Sequence, residues 1–173
     1  LLNPSSVVFD SFGNIYISDK GNFRVRKITS AGMISTVAGN GTSGSSGDGG
    51  QATSAQLSGP AGLALNPAGD TLYIADPPSN RIRRIYIPGG NISTVFGDGS
   101  AGYYGDGQYA VFGSSINHAA GVTAKPGSDM VYFADSGNHR VRSVNDNGNG
   151  MMNTEIGVGA PGAGPRSAGR CAV

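Results

Sequence analysis

Several groups of residues in this 173-residue chain are candidates for ligand, ion or glycan attachment. Gly39-Asn40-Gly41-Thr42-Ser43-Gly44 fits G-x-G-x-x-G, a pattern whose backbone N–H groups can cradle a dinucleotide phosphate. Asp19, Asp76 and Asp135 each stand five residues before Arg24, Arg81 and Arg140. That spacing suits a ring of charge at a binding face, or a structural ion pair or turn cap across a hairpin. His118 and His139 could ligate a metal. Asp48 and Asp106 could hold calcium, and Asn40-Gly41-Thr42 and Asn91-Ile92-Ser93 are acceptors for N-linked glycans.

Each of these is weighed by the elements that must position it. A dinucleotide site needs one such loop between a strand and a helix. Here the pattern occurs three times, at 39–44, 97–102 and 157–162. The segment after the first, SSGDGGQATSAQLSGP, has no helical apolar stripe and offers at most one helical turn at ATSAQL. Its glycines are better read as positive-φ positions, with Asp48-Gly49 and Asp106-Gly107 as tight turns. Calcium wants six to eight oxygens, and each loop supplies one carboxylate. A catalytic metal site usually takes three protein ligands, and the two histidines fall at different repeat positions.

The repeats organise the whole chain. GNIYISD (13–19) recurs as DTLYIAD (70–76) and DMVYFAD (129–135). A basic strand follows each: NFRVRKI, NRIRRI and NHRVRSV. ISTVAG, ISTVFG and MNTEIG come next, each leading into a Gly-rich loop. With SVVFD, GLALN and GVTAK before them, these make four short strands per repeat, separated by turn residues. Four-stranded antiparallel units in series are the blades of a β-propeller. The sequence therefore predicts an all-β fold of three blades forming an incomplete ring. Blade 1 covers about residues 2–56, blade 2 about 57–115 and blade 3 about 116–160, with a Gly/Pro/Ala tail over 161–173.

The chain resembles NHL-repeat propellers. The triplet that names the family appears as Asn138-His139-Arg140, and in degraded form as Asn22-Phe23-Arg24 and Ser79-Asn80-Arg81. The GNIYISD-plus-RVRKI pair and the SGDGGQATSAQL insert are also similar to the family's pattern. The resemblance implies a ring of about six blades, of which three are present. It also implies two alternative activities. One is half of a metal-dependent lyase with histidines in the central channel. The other is RNA binding through a positive propeller face.

Eight of the 12 cationic residues lie in the basic strands: Arg24, Arg26, Lys27, Arg81, Arg83, Arg84, Arg140 and Arg142. They could form a stripe. However, formal net charge is only +1, and no exposed aromatic residues interleave with them, which speaks against nucleic acid. No catalytic constellation and no cofactor motif is evident. There is no apolar run long enough to span a bilayer. Cys171, the single cysteine, reads as an unpaired thiol or an intermolecular link. The chain begins at Leu1 rather than Met, which fits removal of a leader or a boundary inside a longer protein.

Low charge, the two glycan acceptors and scarce lysine fit an extracellular or cell-surface protein. Each end of an open half-ring would expose a sheet face of roughly 350 Å². Pairing two half-rings through both would bury on the order of 1,400 Å², a standard-sized interface. The expectation is a non-catalytic structural or interaction module. Its partners would be further copies of itself, the rest of a longer chain, or another protein, and head-to-tail association without closure would make a filament.

Overall fold

The computed structural model describes residues 1–107, 114–146 and 150–157. The tail over 161–173, Cys171 and the third Gly-rich loop beyond Gly157 lie outside the described residues, as does the end of the third blade after 157.

Three four-stranded antiparallel sheets form, each with its strands in chain order. Blade 1 contains β1 (Pro4–Phe9), β2 (Ile15–Asp19), β3 (Arg24–Ile28) and β4 (Ile34–Ala38). Blade 2 contains β5 (Leu63–Leu65), β6 (Thr71–Asp76), β7 (Arg81–Tyr86) and β8 (Asn91–Phe96). Blade 3 contains β9 (Ala119–Ala124), β10 (Met130–Asp135), β11 (Arg140–Asn145) and β12 (Met152–Ile156). Beyond these strands, regular structure among the described residues is confined to single 3-10 turns. One is Ala52–Ser54, within the stretch expected to hold one helical turn.

Strand alternation decides what each blade shows its neighbours. In β6, Leu72, Ile74 and Asp76 face blade 1, while Tyr73 and Ala75 face blade 3. The first set joins Leu63, Ile85 and Ile92 in a core with Tyr16, Val25 and Ala38 of blade 1. The second joins Ala64, Ile82 and Phe96 in a core with Val131, Phe133 and Val144 of blade 3. Phe96 and Phe133 stack across that junction with centroids 5.6 Å apart. Blade 2 is thus buried on both faces, and blades 1 and 3 on one each.

The β2–β3, β6–β7 and β10–β11 hairpins close through one recurring turn. A 3-10 turn ends on a residue in the left-handed region: Phe23 (φ 53), Asn80 (φ 49) and His139 (φ 55). The glycine that ends each outer-strand motif, Gly39, Gly97 or Gly157, lies directly against that residue's carbonyl oxygen. A Cβ at any of the three would overlap Phe23 O, Asn80 O or His139 O. Two residues on, a Cβ at Gly41 or Gly99 would strike the guanidinium of Arg24 or Arg81. The first two glycines of the G-x-G-x-x-G pattern are therefore explained by close packing on the hairpin turn.

Candidate functional site

The carboxylates of Asp19, Asp76 and Asp135 are fully buried. Each stands opposite the arginine five residues on: Asp19↔Arg24, Asp76↔Arg81 and Asp135↔Arg140. The two side chains nevertheless do separate work, and among the described residues no ion pair joins them. The aspartates cap the turn and anchor the chain entering the innermost strand. Asp19 accepts from Leu2 N–H at 2.7 Å and from Asn22 Nδ2. Asp76 accepts from Ser58 N–H, Gly59 N–H and Ser79 Oγ. Asp135 accepts from Asn117 N–H and Asn138 Nδ2. The first residue of the family-like triplet is thus a ligand of the aspartate. The arginines donate to carbonyls: Arg24 to Asn22 O and Asn40 O, Arg81 to Ser79 O and Asp98 O, and Arg140 to Asn138 O.

Burial pushes the Asp76 carboxyl above its ordinary value, more than its hydrogen bonds and Arg83 pull it down. Burial also pushes Asp19 up, but hydrogen bonds from Leu2 N–H and Asn22 and the positive charge of Arg26 pull against it, and the group stands below its ordinary value.

In blades 2 and 3 a second cation makes the ion pair that the spacing of five had suggested for the first. Arg83 and Arg142 lie two residues further along β7 and β11, and both side chains are fully buried. Each meets the Asp-Gly turn of the preceding Gly-rich insert. Arg83 Nη2 sits 2.5 Å from Asp48 Oδ1, as a close ion contact rather than an aligned hydrogen bond. Its Nη1 donates to Gln56 O at 3.2 Å. Arg142 Nη2 lies 3.0 Å from Asp106 Oδ1, and its Nη1 donates to Ser115 O and lies 3.3 Å from Asp135 Oδ2.

Burial raises the Asp106 carboxyl, but Thr154, Tyr103 and Arg142 outweigh it and hold the group below the ordinary carboxylate value.

The inserts consequently close on the blade that follows them. Gly49 N–H donates to Ile92 O, Ile92 N–H to Gly50 O, and Ala52 N–H to Gly90 O, which covers the outer edge of β8. Ala52, Ala55 and Leu57 then fill the gap between blades 1 and 2. Gly107 N–H donates to Met152 O in the same way on β12. The first insert thus packs between β4 of blade 1 and β8 of blade 2. The turn aspartates were legible in the sequence, but not their partners. The signal was the joint recurrence of an Asp-Gly turn and an Arg-x-Arg strand.

The eight basic-strand cations do not form one exposed stripe. Arg83 and Arg142 are buried, and Arg24, Arg81 and Arg140 bond to loop carbonyls. Arg84 pairs with Asp146 at 2.5 Å, beside a Tyr73 hydroxyl that donates to the same carboxylate. Lys27 lies over the buried Tyr16 ring, and one exposed aromatic residue also meets this set, contrary to expectation. The Tyr103 ring, from the second insert, lies 3.6 Å from the Arg140 guanidinium carbon. Sequence separation hid that contact.

His118 and His139 are exposed and both have positive φ, at 54° and 55°. Among the described residues no three His, Cys, Asp or Glu side chains gather as a metal site would need. Asn40 and Asn91 are exposed. Asn40 forms a local turn by accepting from Thr42 N–H. Asn91 is the first residue of β8 and accepts from Gln51 Nε2.

Two sheet faces remain unpaired. On blade 1, Val7, Phe9 and Ile34 are 54%, 65% and 50% exposed. Their counterparts by register are Leu63, Leu65 and Ile92, which blade 1 and the first insert cover. On blade 3, Gly121, Thr123, Tyr132 and Val141 line a shallow apolar depression of about 280 Å³, and Ile156 is 66% exposed. No helix among the described residues is long and apolar enough to cross a membrane.

No family profile and no curated protein sequence matches the chain. Solved structures do. A structural-genomics protein of unknown function from Bacteroides thetaiotaomicron is 21% identical, with a TM-score of 0.63 over 86% of this chain and 34% of that one. A nidogen/laminin complex structure is 16% identical, with a TM-score of 0.62 over 90% of this chain and 50% of its own. Virginiamycin B lyase from Staphylococcus aureus is 18% identical, with a TM-score of 0.58 over 89% and 42%. The chain spans a third to a half of the length of these structures. They are β-propeller-type folds, and with its three four-stranded antiparallel sheets this chain is an all-β stretch of the same architecture.

Proposed function

We propose that this chain is a non-catalytic protein-interaction module of an extracellular or cell-surface protein, of the NHL-repeat type, that associates through its two unpaired blade faces. The observation that carries this reading is the apolar row Val7, Phe9 and Ile34. These side chains stand open where the matching positions of blade 2 are covered, Leu63 and Ile92 buried and Leu65 partly so. Solitary exposed apolar residues need no explanation, but a row along one sheet face marks an interface. The likeness to a structure of one protein in complex with another is in keeping with this. Further copies, the rest of a longer chain or a different protein would each bury the same row. Asn40 and Asn91, both exposed, would carry glycans on the secreted protein.

The test is the native mass of the intact protein by light scattering, with electron microscopy of the same sample. Assemblies larger than a monomer are expected, and Phe9→Asp should dissolve them. A monodisperse monomer indifferent to Phe9→Asp would remove the reading. A second reading, half of a metal-dependent lyase, draws on the likeness to virginiamycin B lyase. Metal bound stoichiometrically by the intact protein would favour it.

A further inference from the structure

Blade 1 has the same latch as blades 2 and 3, with only one half of it present. Arg26 occupies the register position of Arg83 and Arg142, opposite Ile17 in β2 and Thr36 in β4, as Arg83 stands opposite Ile74 and Thr94. The same break in register precedes all three arginines, between Val25/Arg26, Ile82/Arg83 and Val141/Arg142. Arg83 and Arg142 each meet an insert aspartate and are sealed from solvent. Arg26 is only partly buried, its Nε donates to Ser35 O at 3.2 Å, and it forms no ion pair among the described residues.

The surroundings repeat as well. Ile34 matches Ile92, whose N–H and C=O are bonded by Gly50 and Gly49 of the first insert. Among the described residues no segment pairs with Ile34 in that way. Val7 and Phe9 match Leu63 and Leu65, the floor on which the first insert and blade 1 rest. A cation, an open strand edge and an apolar floor therefore stand together in the arrangement that holds an insert twice elsewhere in the chain.

We infer that the free face of blade 1 binds an insert of the same chemistry as residues 39–59: an Asp-Gly turn followed about nine residues later by an aliphatic side chain. Its aspartate would pair with Arg26 and its turn backbone would add to the edge of β4. The chain's own third Gly-rich stretch does not fit, because residues 157–173 contain no acidic residue. The occupant is thus an insert of the first type, brought by a segment outside this sequence. This inference rests on the interaction reading above and names what one of its faces recognises.

A labelled peptide with the sequence of residues 39–59 is titrated into the intact protein, and binding is read by fluorescence anisotropy. The peptide should bind. Asp48→Asn in the peptide alone should weaken binding about tenfold or more, since a desolvated charge-assisted pair is lost. Arg26→Met in the protein should weaken it similarly. Because the first change is in the peptide, it does not touch the fold of the protein. Equal affinity of the Asp and Asn peptides, no effect of Arg26→Met, or no binding up to about 1 mM would each overturn the inference. If native mass shows association through Phe9 while these results are negative, the interaction reading stands and only the occupant is wrong.

Discussion

Replacing Asp48 with Asn removes one charge from the first latch and keeps a residue that the turn accepts. Arg83 would then sit fully buried without this counter-charge, holding one hydrogen bond, to Gln56 O, and the weaker Coulombic attraction of Asp76. Breaking a fully buried pair by deleting one partner costs about 3–5 kcal/mol. Asp48 is itself 42% exposed, so water can reach part of the site, and the expected loss is nearer to about 2 kcal/mol. For a domain of this size that corresponds to about 4–8 °C in melting temperature. Arg83→Met loses the Gln56 bond, leaves a solvated aspartate and fills space beside Ile74 and Ile85, so it should cost only about 1 kcal/mol. The double variant should be no worse than Arg83→Met alone, giving a coupling of about 2 kcal/mol. Urea unfolding followed by circular dichroism measures all three, and tyrosine fluorescence serves as second probe because the chain has no tryptophan. Amide exchange adds a local check: Gly49 and Ala52 N–H groups, bonded to Ile92 O and Gly90 O, should exchange faster in the Asn variant. Additive losses in the double variant, or an Asn variant within about 0.5 kcal/mol of the parent, would refute the claim that Asp48 and Arg83 act as one unit.

Two further expectations concern the inserts and their acids. Gly97→Ala should destabilise by about 2–4 kcal/mol, since it combines a φ of +85° with overlap on Asn80 O; a neutral result in urea unfolding would contradict the close approach. Asp106, held below its ordinary value of 3.8, contributes stability that is present above that pH and lost as pH falls through its folded value; Asp76, raised by burial, favours the fold more as pH drops toward 3.8. Asp106→Asn should therefore lower stability at neutral pH and flatten the acid decline, read as unfolding midpoints between pH 7 and pH 3.

The blades were legible from the residues alone. Three aligned copies of a tyrosine-bearing strand, a basic strand and an outer strand fix the alternation of apolar side chains. Alternation fixes which face each residue takes, because the strand period is two. The sequence also spoke against reading the G-x-G-x-x-G pattern as a nucleotide loop. The pattern recurs in every repeat, and no helical apolar stripe follows the first copy.

Which charges meet became visible only once the sheets were packed. Asp19 and Arg24, Asp76 and Arg81, Asp135 and Arg140 face each other in register, as their spacing of five implies, yet they bond elsewhere. Each aspartate captures the backbone entering the innermost strand, which lies on average some 18 residues away in sequence. The aspartates of the inserts, which read locally as turn formers, cross to arginines 35 and 36 residues later. Local propensity reports on backbone angles within a few residues. It carries no record of how a loop packs between two neighbouring sheets. The same limit hid the open row of Val7, Phe9 and Ile34: its alternation was legible, but whether a partner covers it depends on what packs against that sheet.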